Sequence, residues 1–557
     1  MLDQLQVGKG VFLPIRRETD VNIGNVIEVS GEKVRVELTA DTTKPLIGNY
    51  YPGQPGSHLK IPFRGYSIIG ITSIVKMDPP NGNGNCNGDR RKIVECILIG
   101  TIKPDGKFVR GVAMYPNVGL PAQMVTANEL DKIFAEYRHF DYSFASLAEN
   151  EEQRVYVNID NLFGHHLAVV GSTGCGKSCT VASLLQRAIK KYPNTHIIVL
   201  DLHGEYGAAF PNHVFAIEAD KIELPHWLLN FDEFVDLNVD LTEMNAKNQI
   251  TVLRDAMLRA RQGTDSDQKL GLGAALSVDS PVFYNIEEMI SLIRNWNIQM
   301  VYNDEGRLAP GPLHGVFDRF LIRFDSRMSD PRYKFIYNPE KFSNDTSLID
   351  LLKNHLSLNN GNRMTIIDLS GIPSETIGVV VAVISRVVFE FNLWNNEREK
   401  LPILMVYEEA HNFVPRQRNL GFPSALKAVE RIVKEGRKYG IGAIFVSQRP
   451  NELSETVISQ CNNFIAMRLT NPDDQNYVRR LVPDSAAGLM GMAPALRTGE
   501  ALLLGDAVVV PTRVLIDLPN PRPKSSDVEF AKGWTEGSSQ MDVGRVVKRW
   551  RTRRRDL

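Results

Sequence analysis

The stretch Gly171-Ser172-Thr173-Gly174-Cys175-Gly176-Lys177-Ser178 matches G-x-x-x-x-G-K-[ST], with Gly171, Gly176, Lys177 and Ser178 at the fixed positions. These residue types at this spacing suit one task, holding a polyphosphate. Glycines let a backbone close around phosphate oxygens without Cβ clashes. Successive N–H groups at a helix N-terminus attract the anion, and the helix dipole adds positive potential there. Lys177 is expected to reach the β- and γ-phosphates, and the Ser178 hydroxyl to serve a Mg²⁺ site. ATP with Mg²⁺ is the expected ligand, with Ser172, Thr173, Gly174, Cys175 and Cys179 completing the loop that holds it.

A second constellation lies far downstream. Pro402-Ile-Leu-Met-Val-Tyr-Glu-Glu-Ala-His411 is an apolar run ending in two acids, Glu408 and Glu409. This is the Walker-B arrangement, with Glu in place of the commoner first Asp. The first acid can organise the Mg²⁺ shell through water, and the second can polarise an attacking water. Ile441 to Ser447 is another apolar run, expected as a strand beside the Walker-B strand, with Gln448 at its C-terminal end. An amide there suits sensing of the γ-phosphate, the alternative being a cap. His196-Ile-Ile-Val-Leu-Asp201 ends in Asp201, with Glu205 close behind. Strand C-terminal ends line the ligand crevice of parallel α/β sheets, so Asp201 is expected beside the nucleotide unless it only caps a turn.

These residues need strands that end at one edge of a sheet. His166 to Val170 reads as the buried strand feeding the phosphate loop, and Cys179 to Ile189 as the helix leaving it. Residues 1–125 look all-β instead. Asn22 to Val29 and Lys33 to Leu38 flank a hairpin turn, and further strands are expected at Tyr66 to Val75, Lys92 to Thr101 and Phe108 to Met114, around a turn-rich loop from Pro79 to Gly88. Short strands with such punctuation suggest a small barrel, read here as a docking or assembly module. Helix and strand alternate from residue 126, so 126–219 and 346–518 are expected to form the two parts of one α/β core. Residues 220–345 are expected to form a helical insertion, with helices near Asn248 to Arg261, Asn285 to Trp296 and His314 to Asp325, and a loop at Gln262 to Asp267. Helices are also expected at Thr346 to Leu356 and Pro423 to Lys438, strands at Met364 to Ser370 and Asn463 to Leu469, and a hairpin from Glu500 to Ile516. The tail, 519–557, is Pro/Ser-rich and then basic, with Val547 and Trp550 available to brace a neighbouring subunit.

Composition narrows the classes. A chain of 557 residues exceeds one core. Its 43% hydrophobic and 23% charged residues are ordinary for a globular protein. No run of 18 or more apolar residues is present, so no membrane span is expected. The N-terminus has neither a basic nor an apolar leader segment. Cys86, Cys96, Cys175, Cys179 and Cys461 lack metal-ligand spacing, which suits a reducing cytoplasm. The formal net charge of −1 gives no global pull toward nucleic acid, so any DNA-binding surface must be local. No acceptor site for a small-molecule kinase is visible.

Taken together, the phosphate loop, Asp201-Leu-His-Gly-Glu-Tyr206, Val406-Tyr-Glu-Glu-Ala-His-Asn-Phe413, Glu435-Gly-Arg-Lys-Tyr-Gly440, Val446-Ser-Gln-Arg-Pro450 and Cys461-Asn-Asn463 with Asn471-Pro-Asp-Asp474 resemble the HerA family. HerA proteins are DNA-translocating ATPases related to the FtsK motors. The resemblance covers nearly the whole chain. It implies a RecA-like core, a homohexameric ring around double-stranded DNA, and ATP at subunit interfaces. It also implies a partner on the barrel side: a NurA-like nuclease, or a phage-defence effector such as a sirtuin-like NADase. Carried over to this sequence, Glu408 matches the Mg²⁺-organising acid, Glu409 the catalytic glutamate, and Gln448 the sensor. Arg437 resembles an arginine finger acting in trans, against a reading as a helix C-terminal arginine facing the dipole. Arg416 and Arg418 are candidates for the pore. The family's second arginine, upstream of the phosphate loop, stays unassigned here, where that region reads Gly164-His165-His166. An alternative function is an ATP-gated ring scaffold that activates an effector without translocating.

Overall fold

The computed structural model describes residues 21–552 apart from 32, 42–52, 79–90, 213, 219–220, 269, 340, 343, 345–346, 359–362, 418–421, 526–528 and 538–540. The Pro79 to Gly88 turn, Cys86, Arg418 and the extreme N-terminus therefore lie outside the described residues. Two units emerge, Met1–His139 and Phe140–Leu557.

The first unit is built from β1 (Asn22–Val29), β2 (Lys33–Leu38), β3 (His58–Phe63), β4 (Tyr66–Asp78), β5 (Arg91–Ile102), β6 (Phe108–Arg110) and β7 (Pro121–Met124). In β2, buried and less buried residues alternate, the period of a strand with one face on a core. The strand order is β2-β1-β7-β3-β4-β5-β6, and β2 also pairs with β5. That extra pairing closes six strands into a barrel and leaves β6 attached to β5. Val26, Val34, Val36, Ile61, Ile68 and Val94 fill its interior. Strands β3 and β7 were not expected from the sequence, and each carries a proline. Pro62 lies where β3 pairs with β4 but no longer with β7, and Pro121 is the first residue of its strand, so neither missing N–H interrupts the barrel.

The second unit holds β8 (Ala145–Leu147), β9 (Arg154–Val155), β10 (Leu167–Val170), β11 (His196–Asp201), β12 (Val214–Ile217), β13 (Met300–Tyr302), β14 (Leu308–Pro310), β15 (Met364–Asp368), β16 (Ile403–Tyr407), β17 (Ile441–Ser447), β18 (Asn463–Ala466), β19 (Glu500–Gly505) and β20 (Thr512–Ile516). Eleven strands form one sheet, in the order β12-β15-β11-β16-β17-β10-β18-β19-β20-β8-β9. From β12 to β18 all neighbours are parallel, and from β18 to β9 all are antiparallel. Every residue of β10, β16 and β17 is buried, which explains their continuous apolar runs. The fold is α/β, a RecA-like P-loop core with a small N-terminal barrel and a helical insertion.

The insertion lies between β12 and β15. Its main helices are Phe231–Asn238, Ala246–Gln268, Ile286–Ile298 and Asp318–Ser329, joined by the β13–β14 ribbon. The loop expected at Gln262 to Asp267 is absent, because one helix runs through it to Gln268. A buried face of Leu253, Ala256, Met257 and Arg261 holds this helix, and Gly263 within it is tolerated where nothing crowds its Cα. Helix Ser374–Trp394 is long and apolar enough to cross a membrane, but most of it is buried inside the unit. It packs against helices Pro423–Glu435 and Phe231–Asn238. Its Arg386 donates to both oxygens of Glu233 (2.8 and 2.9 Å) and to Leu228 O (2.6 Å), tying the insertion to the core. Helices Phe530–Glu536 and Val543–Thr552 close the described chain, with Trp534 and Trp550 exposed.

Candidate active site

Strand β10 runs straight into the phosphate loop, and helix Lys177–Lys191 leaves it. Gly174 (φ 72°) and Gly176 (φ 106°) adopt left-handed backbone, which a side chain would strain. A Cβ at Gly171 would stand 2.6 Å from Cys175 Sγ and 2.9 Å from Met467 Cβ, so only glycine fits. The loop is held from outside as well. Ser172 N–H donates to Arg468 O (2.8 Å), and Gly499 N–H donates to Cys175 O (3.1 Å). Cys175 is buried beneath the loop, and its thiol faces Met467 Sδ at 3.9 Å, so its role here is packing. Lys177 is nearly buried and its Nζ points back to Ser172 O (3.4 Å), inside the concavity of its own loop. Ser178 and Cys179 follow on the first turn of the helix, both half-buried.

The acids come from neighbouring strands. β16 lies beside β11 on one side and β17 on the other, and β17 separates it from β10. Glu408, Asp201 and Gln448 therefore all emerge at the C-terminal edge, next to the loop. Asp201 is wholly buried. Its Oδ1 accepts from the N–H groups of Gly204 (2.9 Å) and Glu205 (3.1 Å), and its Oδ2 from that of Tyr206 (2.9 Å). Burial, then the charge and hydrogen bond of Asp201, then Glu205 and Glu409, hold the Glu408 carboxyl well above the usual carboxylate range. Glu408 Oε2, Glu205 Oε2 and the Tyr206 hydroxyl are buried with no hydrogen-bond partner among the described residues. Such a pocket of acids with unmatched oxygens fits a cation. No three His, Cys, Asp or Glu side chains among the described residues converge as a cage. That pattern suits Mg²⁺ held through waters and phosphate oxygens.

Glu409 is in left-handed backbone (φ 46°, ψ 48°), uncommon for a residue with a side chain. Its Oε2 lies 3.3 Å from the Gln448 N–H nitrogen and 3.3 Å from His411 Nδ1. Gln448 Oε1 accepts from Thr173 Oγ1 (2.6 Å), so the amide side chain touches the phosphate loop directly. His411 Nδ1 is also 3.2 Å from Ser447 Oγ. Sequence reasoning did not single out His411 or Ser447. The available signal was position alone, since His411 lies two residues past Glu409 and Ser447 one before Gln448. Tyr206, whose hydroxyl faces the acids, was likewise quoted but given no role.

Arg437 is not with the others. It is exposed in the turn Gly436–Tyr439 that precedes β17, at the opposite edge of the sheet. There it borders a 370 Å³ cavity with Phe163, Tyr192, His196, Pro402 and Leu404. Nearby His166 is pushed down to about 4, chiefly by burial, with a smaller contribution from Arg437. Arg416 is exposed, and its guanidinium lies 5.3 Å from the Tyr477 ring centroid.

The family model "Helicase HerA, central domain" matches residues 143–388, and "Helicase HerA-like C-terminal" matches residues 387–512. The chain is similar to the DNA double-strand break repair helicase HerA of Sulfolobus acidocaldarius, 27% identical over 454 residues, covering 80% of this chain and 83% of that protein. It is similar to the protein of the same description from Sulfurisphaera tokodaii, 28% identical over 457 residues, with 80% and 83% covered. Among solved structures it is similar to VirB4 of Thermoanaerobacter pseudethanolicus, with a TM-score of 0.45, 13% identity, and 70% and 97% of the two chains covered. The two family matches run without a gap across the phosphate loop, both acids and Gln448, and the chain belongs to the HerA family of P-loop ATPases.

Proposed function

We propose that the chain hydrolyses ATP as part of a homohexameric ring and uses that cycle to translocate along double-stranded DNA. The observation that supports this most directly is the division of the site. The loop, the acids and Gln448 gather at one edge of the sheet, and Arg437 is exposed at the other. The seven residues of β17 lie between, roughly 20 Å at about 3.3 Å per residue, too far for one arginine to span. An Arg437 that serves a nucleotide must serve that of a neighbouring copy. A head-to-tail contact of this kind closes into a ring where its rotation closes, as it does in the proposed hexamer.

In this reading the N–H groups of residues 171–178 bind the phosphates of ATP, and Lys177 holds the β- and γ-phosphates. Ser178 and Glu408 hold Mg²⁺, which neutralises phosphate charge when bound. Glu409 orients the attacking water and accepts its proton. Gln448, hydrogen-bonded to Thr173, reports the state of the phosphate loop to β17. The neighbour's Arg437 stabilises charge on the transferring phosphoryl group. The relatives described as DNA double-strand break repair helicases supply DNA as the track. Grip on backbone phosphates would be sequence-tolerant and salt-sensitive. We assign the barrel, with Ile74, Val75 and Met77 exposed on β4, to docking of a partner nuclease or defence effector. Trp550 and the half-buried Val547 of the tail are assigned to bracing the next subunit.

Mixing two variants tests the shared site. K177A and R437A should each be nearly inactive, R437A by about 10³–10⁵ in turnover. A one-to-one mixture assembled together should recover roughly a quarter of wild-type ATPase, because that share of interfaces pairs an intact loop with an intact arginine. No recovery, or full turnover by R437A alone, would overturn the shared site. ATP-driven displacement of a roadblock from duplex DNA tests translocation separately.

A further inference from the structure

We propose that His411 positions Glu409 to activate the attacking water by donating its Nδ1–H to the carboxylate, a contact it gives up when the same nitrogen accepts from Ser447 Oγ. The proposal rests on Glu409 being the base, and the experiment below separates the two. Three features carry it. First, Glu409 adopts left-handed backbone, which is strained for a non-glycine residue and persists only where its surroundings enforce it. Second, the carboxylate oxygen Oε2 has two donors within reach, the Gln448 N–H and His411 Nδ1, both at 3.3 Å. Third, the same Nδ1 is 3.2 Å from Ser447 Oγ, and both the Glu409 and His411 side chains are only 10% exposed.

A neutral imidazole carries one N–H and one lone pair. Burial keeps the His411 ring below the usual imidazole range, against the pull of Glu409 and Glu452 and together with Arg449 and Lys177. Nδ1 therefore either donates to Glu409 or accepts from the Ser447 hydroxyl, according to which nitrogen holds the proton. In the first arrangement two N–H groups fix the carboxylate. In the second only the Gln448 N–H holds it, and Gln448 is itself hydrogen-bonded through its side chain to Thr173 of the phosphate loop. His411 thus joins the base to the strand that carries the sensor. Removing it leaves Glu409 with half of its fixed donors and should affect turnover rather than nucleotide binding.

The test uses the full chain, assembled, with steady-state ATP turnover and titration of a fluorescent ATP analogue. H411A should lower kcat about 10–100-fold, the usual effect of removing a group that orients a reacting one. Its KM for ATP and its affinity for the analogue should stay within about twofold. H411N places an N–H donor near the Nδ1 position and should restore kcat to within about fivefold of wild type. Unchanged kcat in H411A, an H411N no better than H411A, or parallel loss of kcat and analogue affinity would overturn the proposal. If H411A folds poorly, H411L replaces it in the comparison. E409Q is measured alongside. Wild-type turnover there would remove Glu409 as base whatever His411 does.

Discussion

Asp201 offers a sharp test of how the acid cluster is built. The sequence places it at a strand end where nucleotide contacts are common, yet its two oxygens are spent on the N–H groups of Gly204, Glu205 and Tyr206. Asp201→Asn keeps one acceptor oxygen and sets an NH₂ group against at least one buried N–H. Leaving one such donor unsatisfied costs about 1–3 kcal/mol. Asp201→Ala orphans three, for about 3–6 kcal/mol once non-additivity is allowed for. For a unit of the length of Phe140–Leu557 the unfolding entropy is about 0.9 kcal/mol/K, so each kcal/mol shifts Tm by roughly 1 °C. Denaturant unfolding without nucleotide should show a lower midpoint for D201N, lower still for D201A, with unchanged slope. ATP-analogue affinity should fall only modestly in D201N. A nucleotide-free stability unchanged to within about 0.5 kcal/mol, with affinity falling about tenfold, would refute this account and restore Asp201 as a direct ligand.

Two further outcomes follow from buried groups. Arg386→Met should destabilise the ATPase unit by about 3–5 kcal/mol, because Glu233 is left buried without its bidentate partner. A matched Arg386→Met/Glu233→Leu double variant should recover part of that loss, and calorimetry of the set measures the coupling. Burial pushes His226 down to about 4, so between its ordinary value near 6.5 and that value the unfolded chain binds the proton and the folded chain does not. Stability must therefore rise with pH across this window and fall on acidification, by about 2 kcal/mol per such histidine from pH 7 to pH 5. His226→Gln should flatten the midpoint-against-pH curve by that amount, and an unchanged slope would show that His226 does not supply it.

The loop and the acid pair were legible because their chemistry demands particular residues at contiguous positions. Gly171 cannot carry a Cβ, and two acids ending a buried strand have few other uses. Strand order was not legible in the same way. The run Ile441–Ser447 was expected beside the Walker-B strand and is found there, but its other pairing, with β10, joins segments hundreds of residues apart and nothing local announces it. Yet that position between β10 and β16 makes the site. It brings Ser447 to His411, the Gln448 N–H to Glu409, and the Gln448 side chain to Thr173. It also sets Arg437, which immediately precedes the same strand, at the far edge. One strand thus carries Gln448 at one end and Arg437 at the other. In the proposed ring, a shift of β17 along its axis on loss of the γ-phosphate would move Gln448 in one subunit's site and Arg437 in the next. Hydrolysis at successive interfaces would then be coupled through a single rigid element rather than through flexible loops.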